Sequence, residues 1–274
     1  MIRLFASDLD GTLLNEQHEC DERISQGIKE LVEKGKNFTV ATGRGFNMVQ
    51  LDEVAHLSYY ICLNGATIID PNGNLLHSEL IDKAVLSEML DAFEDMHLEF
   101  ISWDKVYSTF NKQEVMKYRM ETRKKIFGKP MPESFLNNLI DNFSFSQNKN
   151  MILKQDVCKI NYHDDGSVDL SKFNSFLKDH KMELVNAPSG KNLYEITKYD
   201  INKATGIRWL ANYLDIEESE VAVYGDGGND LEMLESFKHS YAPSTGSIEA
   251  KKRAKQIIGP YNEYSVIDHM LKTY

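Results

Sequence analysis

Short apolar runs that stop abruptly at carboxylates or glycines constrain this chain more than any other feature. Ile2–Ser7 is such a run and ends at Asp8-Leu9-Asp10-Gly11-Thr12-Leu13-Leu14. Asn37–Ala41 ends at Thr42-Gly43-Arg44, and Val221–Tyr224 ends at Gly225-Asp226-Gly227-Gly228-Asn229-Asp230. Continuous short apolar runs mark strands buried on both faces, which is the condition of a parallel sheet. Parallel strands need crossovers, and helical ones are supplied. Asp21–Lys34 places Ile24, Ile28, Leu31 and Val32 on one face, with Gly35 as its stop. Gly45–His56 reads as a second helix and Tyr59–Leu63 as a third strand. The β-α-β-α-β order predicts a Rossmann-like, doubly wound α/β core.

The alternation is then interrupted. Two short apolar runs in Ala66–His77 flank Asp70-Pro71-Asn72-Gly73-Asn74 and read as a hairpin. Lys83–His97 follows as a helix with Leu86, Met89, Leu90, Phe93 and Met96 on one face. Onward to about Asn186 the texture is mixed: strand-like Leu98–Trp103, helix-like Lys112–Phe127, strand-like Val157–His163, helix-like Leu170–Lys181. None of the acid and glycine clusters falls there. The pattern resumes with a strand at Asn192–Thr197, helices at Lys203–Leu214 and Asp230–Phe237, and the strand Val221–Tyr224 between them. The expected organisation is a discontinuous core, residues 1–80 and 188–274, with an α+β module inserted at 81–187.

Composition removes several function classes. With 42% hydrophobic and 27% charged residues, this is neither a disordered nor a fibrous chain. Lys and Arg total 31 against 42 Asp and Glu, a formal charge of −11 that disfavours nucleic acid as a partner. The basic clusters Arg123-Lys124-Lys125 and Lys251-Lys252-Arg253 read as solvated helix faces. Three widely spaced cysteines, Cys20, Cys62 and Cys158, offer neither a disulfide framework nor a zinc site. The start meets Asp8 too early for a signal peptide, and no apolar run reaches the ~18 residues of a membrane span. A cytoplasmic protein without membrane, nucleic-acid or protein partners is expected.

Chemistry is concentrated at the strand ends, where open α/β sheets bind ligands. Asp8 and Asp10 stand directly after the first strand, and two adjacent carboxylates share a cation, a proton or a division of labour. A solvated Asx-type turn is the plain alternative. Thr42 and Gly43 offer a hydroxyl and backbone N–H groups suited to phosphate oxygens, or Thr42 is simply a helix N-cap. Asp226 and Asp230 bring two more carboxylates, with glycines permitting close backbone approach. Lys203, alone an ordinary surface lysine, takes its meaning from the other three. Four carboxylates in one crevice call for a divalent cation, and oxygen-only ligands suit Mg²⁺. A carboxylate nucleophile, a second carboxyl for proton transfer, a metal and a phosphate clamp together specify phosphoryl transfer.

These four motifs, in this order, resemble the haloacid dehalogenase superfamily. The insertion and the Leu63-Asn64-Gly65-Ala66 element resemble its Cof-type branch (subfamily IIB), which carries a C2-type α/β cap. The resemblance implies that Asp8 is the nucleophile and Asp10 the general acid/base. Thr42, Lys203 and the Leu9 backbone N–H bind the phosphoryl group, with Gly43 beside them. Asp8, Asp10 through its carbonyl, and Asp226 ligate Mg²⁺, Asp230 orients the metal shell, and Asn229 approaches the phosphate. Arg44 and Asn64 stand near enough to touch substrate, and Trp103, Tyr107, Tyr118, Arg119 and Arg123 are the cap's candidates. Departures from the family pattern are Asp200 and Ala204 where glycines are common, Ala242-Pro243 for an Asn-Ala element, and the tail Asn262-Glu263-Tyr264-Ser265. An acid at Asp10 implies a phosphatase or a phosphomutase of the phosphomannomutase type, and the phosphatase is favoured. A non-catalytic phospho-ligand-binding module is the remaining alternative. A small phosphorylated metabolite, foremost a sugar phosphate, is the implied substrate, with pyridoxal phosphate, flavin mononucleotide and nucleoside monophosphates still open.

Overall fold

Leu4–Ser7 forms a strand (β1) in which all four residues are buried, as its uniform apolar character requires. The computed structural model describes residues 1–129, 132–190 and 192–273. After β1 come α1 (Glu22–Glu33), β2 (Asn37–Ala41), β3 (Ser58–Cys62), β4 (Thr67–Ile69) and β5 (Leu75–Ser78). The chain continues through α2 (Lys83–Ala92), β6 (Glu99–Ile101), β7 (Val106–Tyr107), α3 (Lys112–Phe127), α4 (Glu133–Ile140), β8 (Phe143–Ser144) and α5 (Lys149–Ile152). Then follow β9 (Lys159–His163), α6 (Ser171–Asp179), β10 (Leu184–Asn186) and β11 (Leu193–Lys198). The last stretch holds α7 (Lys203–Tyr213), β12 (Val221–Tyr224), α8 (Leu231–Ser236), β13 (His239–Pro243), α9 (Ile248–Arg253), β14 (Gln256–Ile258) and α10 (Ser265–Thr273). Two compact units result: Met1–Ser78 with Ile201–Tyr274, and Glu79–Asp200.

The first unit is built on an eight-stranded sheet of order β14-β13-β12-β1-β2-β3-β4-β5. The strands from β14 to β3 are parallel, and β4 and β5 add an antiparallel hairpin at one edge. Asp70 closes that hairpin's turn, accepting from the backbone N–H groups of Asn72 and Asn74 at 2.8 Å each. Strand β1 lies between β12 and β2, with Ser7 in register with Tyr224 on one side and Val40 on the other. The residues that follow these three strands therefore meet at one sheet edge. Leu4, Ala6, Ile61, Val221 and Val223 pack with Ile207 and Leu210 of α7 and Met233 of α8. Phe5, Phe38 and Val40 are also buried, as are the apolar stripes of α1 and α10.

Close backbone approach fixes α7. A Cβ at Gly206 would stand 2.7 Å from Ile61 Cγ2 and 3.1 Å from the Gly65 Cα. Leu63, Asn64 and Gly65 hold successive left-handed φ values of 52°, 58° and 100°. At Gly65 a Cβ would come 2.1 Å from the Asn202 carbonyl oxygen, which leaves glycine as the residue that fits.

The second unit carries a sheet of order β10-β11-β9-β6-β7-β8, antiparallel except for the β7–β8 pair. Its core joins Leu86, Met89 and Phe93 to Phe100, Ile160, Tyr162, Phe173 and Ile196. A smaller cluster of Val115, Leu136 and Ile140 fastens α3 to α4.

Three expectations need correction. Gly45–His56 is not a helix but two 3₁₀ turns, Phe46–Met48 and Asp52–Leu57. Arg44 NH1 occupies the Met48 carbonyl at 3.2 Å, and Asp52 adopts a left-handed φ of 41°, so a continuous helical ladder cannot form. Helix α2 stops at Ala92, although Phe93 and Met96 still enter the core from the turn that follows. Strand β11, read as the return to the first sheet, pairs instead with β9 and β10, so the inserted unit extends to Asp200. Its pattern is that of any buried strand, and its partners are remote in sequence.

Replacing Gly65 with Ala is expected to cost about 2–4 kcal/mol of stability by combining a forbidden φ with backbone overlap. Gly35→Ala, at φ 73° with open space around it, is expected to cost only about 1 kcal/mol. Urea unfolding of the two variants measures the difference.

Candidate active site

Four chain segments converge where β1, β2, β3 and β12 end. Helix α7 starts with a capping box: Asn202 Oδ1 accepts from the Thr205 N–H at 3.1 Å, and the Asn202 N–H donates to Thr205 Oγ1 at 3.1 Å. Lys203 is the first helical residue and is wholly buried. Its Nζ donates to Asp8 Oδ1 and to Asp230 Oδ1, each at 2.6 Å. Asp8 in turn is fixed by β1, its N–H bonding the Tyr224 carbonyl at 2.9 Å. Asp230 uses its other oxygen, Oδ2, to accept from the backbone N–H groups of Asp226 (2.9 Å) and Gly227 (2.8 Å), which folds the Gly225–Asp230 loop around it.

Asp226 completes the cluster. Oxygens of Asp8, Asp226 and Asp230 lie within 4.8 Å of one another. Thr12 Oγ1 donates to Asp226 Oδ1 at 3.0 Å, and a Cβ at Gly11 would stand 2.7 Å from Asp226 Oδ2, so the turn after β1 presses against this carboxylate. Three carboxylates face one ammonium, leaving a net negative charge in a dehydrated place. Burial, opposed by Lys203 and reinforced by Asp230 and Asp226, pushes the Asp8 pKa from 3.8 up to about 8. Burial and then Asp230 push Asp226 from 3.8 up to about 6. Burial works against the charge on Lys203, but Asp230 and Asp8 outweigh it and hold the ammonium protonated. No hydrogen bond from the described residues reaches Asp8 Oδ2 or Asp226 Oδ2. Oxygen donors with uncompensated negative charge are the donor set of a hard divalent cation.

Asp10 lies apart from this cluster. The turn Leu9–Leu13, with Gly11 at φ 78°, carries its half-exposed carboxylate to Arg44. Arg44 Nε donates to Oδ2 at 2.9 Å and NH2 to Oδ1 at 2.5 Å, a two-pronged ion pair. Thr42 is buried and receives the Arg44 N–H on Oγ1 at 3.1 Å. The Asn64 N–H donates to the Thr42 carbonyl at 3.0 Å, and Asn229 Nδ2 donates to Asn64 Oδ1 at 3.0 Å. The left-handed element at Asn64 therefore ties the segment after β2 to the loop after β12. Leu9 is buried, and Gly43 lies between Thr42 and Arg44.

Two contacts lay beyond sequence reasoning. His18 Nδ1 stands 2.8 Å from Asp10 Oδ1, and an exposed loop histidine carries no signal of that partner. Thr12 belongs to the first motif, but only the fold brings it to Asp226. In the second unit, Tyr107 is buried, Trp103 half-buried, Tyr118 donates its hydroxyl to the His163 carbonyl, Arg119 pairs with Glu99, and Arg123 covers the Phe127 ring.

Over residues 5–271 the sequence matches the haloacid dehalogenase-like hydrolase family. The chain belongs to that family. It is 26% identical to a protein named phosphatase YwpJ from Bacillus subtilis (strain 168), with 99% of each chain covered. It is 25% identical to the 5-amino-6-(5-phospho-D-ribitylamino)uracil phosphatase YbjI of Escherichia coli (strain K12), covering 97% of this chain and 94% of the relative. A solved haloacid dehalogenase-like hydrolase from B. subtilis superposes with a TM-score of 0.78 at 25% identity, covering 99% of both chains. Among the described residues no helix is long and apolar enough to cross a membrane.

A carboxyl group with a raised pKa keeps its proton longer in the folded chain than in the unfolded one. Between 3.8 and about 6 for Asp226, and about 8 for Asp8, the folded state therefore binds more protons, and stability of the metal-free chain falls as pH rises. Adding Mg²⁺ is expected to raise Tm more at about pH 8 than at about pH 5, and EDTA to reverse the gain. Calorimetry across that range checks the sign.

Proposed function

We propose that this hydrolase is a phosphoric monoester hydrolase that passes the phosphoryl group of a small phosphorylated metabolite first to Asp8 and then to water, with Mg²⁺ as cofactor. The observation that carries the reading is the state of Asp8. It is buried, one oxygen is locked on Lys203, and the other meets no donor among the described residues. A carboxylate held that way is a nucleophile aimed by its own ion pair.

Asp8 and Asp226, with the Asp10 carbonyl, would hold the metal. Asp230, both of whose oxygens are engaged, would orient Lys203 and the loop that presents Asp226. Bound there, Mg²⁺ would neutralise phosphoryl charge and keep Asp8 ionised at neutral pH. Lys203 adds positive charge beside the transferring group, while Thr42, Gly43 and the Leu9 N–H border the position of its oxygens.

In the first step an Asp8 oxygen forms a bond to phosphorus as the bond to the leaving alcohol oxygen breaks, and Asp10 supplies that oxygen with a proton. In the second step water attacks phosphorus, Asp10 takes its proton, and the Asp8–phosphorus bond breaks to release inorganic phosphate. The Arg44 fork engages both oxygens of Asp10. To donate in the first step, Asp10 has to loosen from Arg44 and His18. The phosphatase names of the two relatives support the reaction class. The ribityl chain in one of those names supports a polyol or sugar phosphate as the substrate class.

Phosphate release from a panel of phosphorylated metabolites, with Mg²⁺ and with excess EDTA, tests the reading. Asp8→Asn is expected to lose about 10⁴-fold or more of kcat with the fold intact. Asp10→Ala is expected to lose about 10²–10⁴-fold. Phosphate release untouched by Asp8→Asn would overturn the nucleophile, and transfer between sugar positions without free phosphate would overturn the hydrolase.

A further inference from the structure

Helix α2 ends in a stretch that mixes apolar residues with acids, Leu90-Asp91-Ala92-Phe93-Glu94-Asp95-Met96. The helix closes at Ala92, and the Met96 N–H then bonds the Phe93 carbonyl at 3.1 Å in a tight turn. Leu90, Phe93 and Met96 are buried there, while Asp91 and Glu94 stay exposed. Facing them is the segment that leads into α5, in which Ser146 holds a left-handed φ of 54°. The Ser146 N–H bonds the Phe110 carbonyl and the Gln147 N–H the Ser108 carbonyl, each at 2.9 Å, so this segment is tied to the end of β7 rather than to α2. A cavity of about 360 Å³ lies between the two, wholly within the second unit. No residue of the proposed reaction lines it.

The lining is of two kinds. Leu90, Phe93, Met96, Leu98 and Phe100 supply an apolar floor. The rings of Phe173 and Phe176 meet Phe93 edge-on, with centroids 5.0 and 5.3 Å away, so this floor is braced from below. Charge sits at the rim, where Asp91 and Glu94 stand against Lys149. Lys149, the first residue of α5, pairs with Asp91 of α2. Glu94 has no ion-pair or hydrogen-bond partner among the described residues. Lys172, also near the end of α2, donates to the Ala92 carbonyl at 3.0 Å and does not line the cavity.

An apolar floor under a rim with one surplus carboxylate selects the ligand. An anion would meet Glu94 with no cation to offset it, because Lys149 is already neutralised by Asp91. An ammonium, by contrast, completes a charge-assisted hydrogen bond with Glu94. The volume lies at the small end of the range for small-molecule sites, about 300–1,000 Å³, which suits one ring or a branched alkyl group on a short arm. We propose that the second unit binds a small primary amine in this cavity, its apolar body on the floor of Phe93 and Met96 and its ammonium on Glu94. The site stands independently of the reaction proposed above.

Methyl-labelled methionine in the full chain reports the site by NMR, because Met96 lines the cavity whereas Met233 and Met270 are buried in the first unit. Phenethylamine is the probe, and hydrocinnamate is its charge-reversed counterpart. The amine is expected to shift the Met96 methyl signal saturably and to leave those of Met233 and Met270 in place. That pattern separates binding here from loose attraction of any cation to a chain of charge −11. Glu94→Gln is expected to weaken amine binding about threefold. Glu94→Lys is expected to invert the preference, so that hydrocinnamate moves Met96 and the amine does not. Because Glu94 is exposed, both variants are expected to keep the wild-type Tm, which distinguishes lost binding from lost fold. A wild type in which the amine leaves Met96 unmoved, or in which hydrocinnamate moves it as far, overturns the inference. Amine binding that Glu94→Lys leaves unchanged overturns it equally.

Discussion

The structure of the site depends on one buried ammonium. Lys203 carries its charge at a position closed to water, a burial that would cost several kcal/mol if the charge were left alone. It is tolerated because Asp8 and Asp230 each offer an oxygen at 2.6 Å. These three residues come from the position just after the first strand, the start of α7 and the loop after β12, so one electrostatic requirement binds remote parts of the chain to a single geometry. The capping box at Asn202 and the glycine contacts at Gly65 and Gly206 are the means by which α7 reaches that depth.

Two carboxylates two residues apart are thereby given different lives. Asp8 is dehydrated, crowded by other acids and paired with a lysine that is itself shared. Asp10 is half-exposed and held by the guanidinium fork of Arg44. One environment strips water from the oxygen that attacks phosphorus in the proposed reaction, and the other leaves its carboxylate half open to solvent. The division follows from the turn that begins at Leu9: Asp10 reaches the segment after β2 while Asp8 faces α7.

Much of this was legible because strand-end chemistry is local. Apolar runs stopping at Asp8, Thr42 and Asp226 name both the strands and the edge at which their followers meet, and β1, β2 and β12 end at Ser7, Ala41 and Tyr224. A long helix with a clear stripe was equally plain, as in α1. What stayed hidden depends on partners far along the chain. Nothing near Arg44 in sequence shows that its side chain would fold back onto Asp10 and break the expected helix after Gly45. The pattern of β11 could not say which sheet would receive it. The Lys159–Glu195 and Arg119–Glu99 pairs join residues that look like ordinary surface charges. Asp200, which replaces a common glycine, does adopt a left-handed φ of 63°, so a departure visible in the sequence marks a real conformational demand.

The place of β1 in the sheet also has a temporal side. One of its edges is covered by β2, only some thirty residues downstream, but the other waits for β12, which is synthesised after the whole inserted unit. At about 5–20 residues per second, a ribosome leaves that edge open for roughly 11–43 s. Throughout that interval the nascent chain presents an apolar strand edge with Asp8 at its tip and no lysine to pair it. Protection of this edge during translation, by a holding chaperone or by rapid folding of the inserted unit, is therefore a condition on the chain's biogenesis as much as its sheet order is a condition on its chemistry.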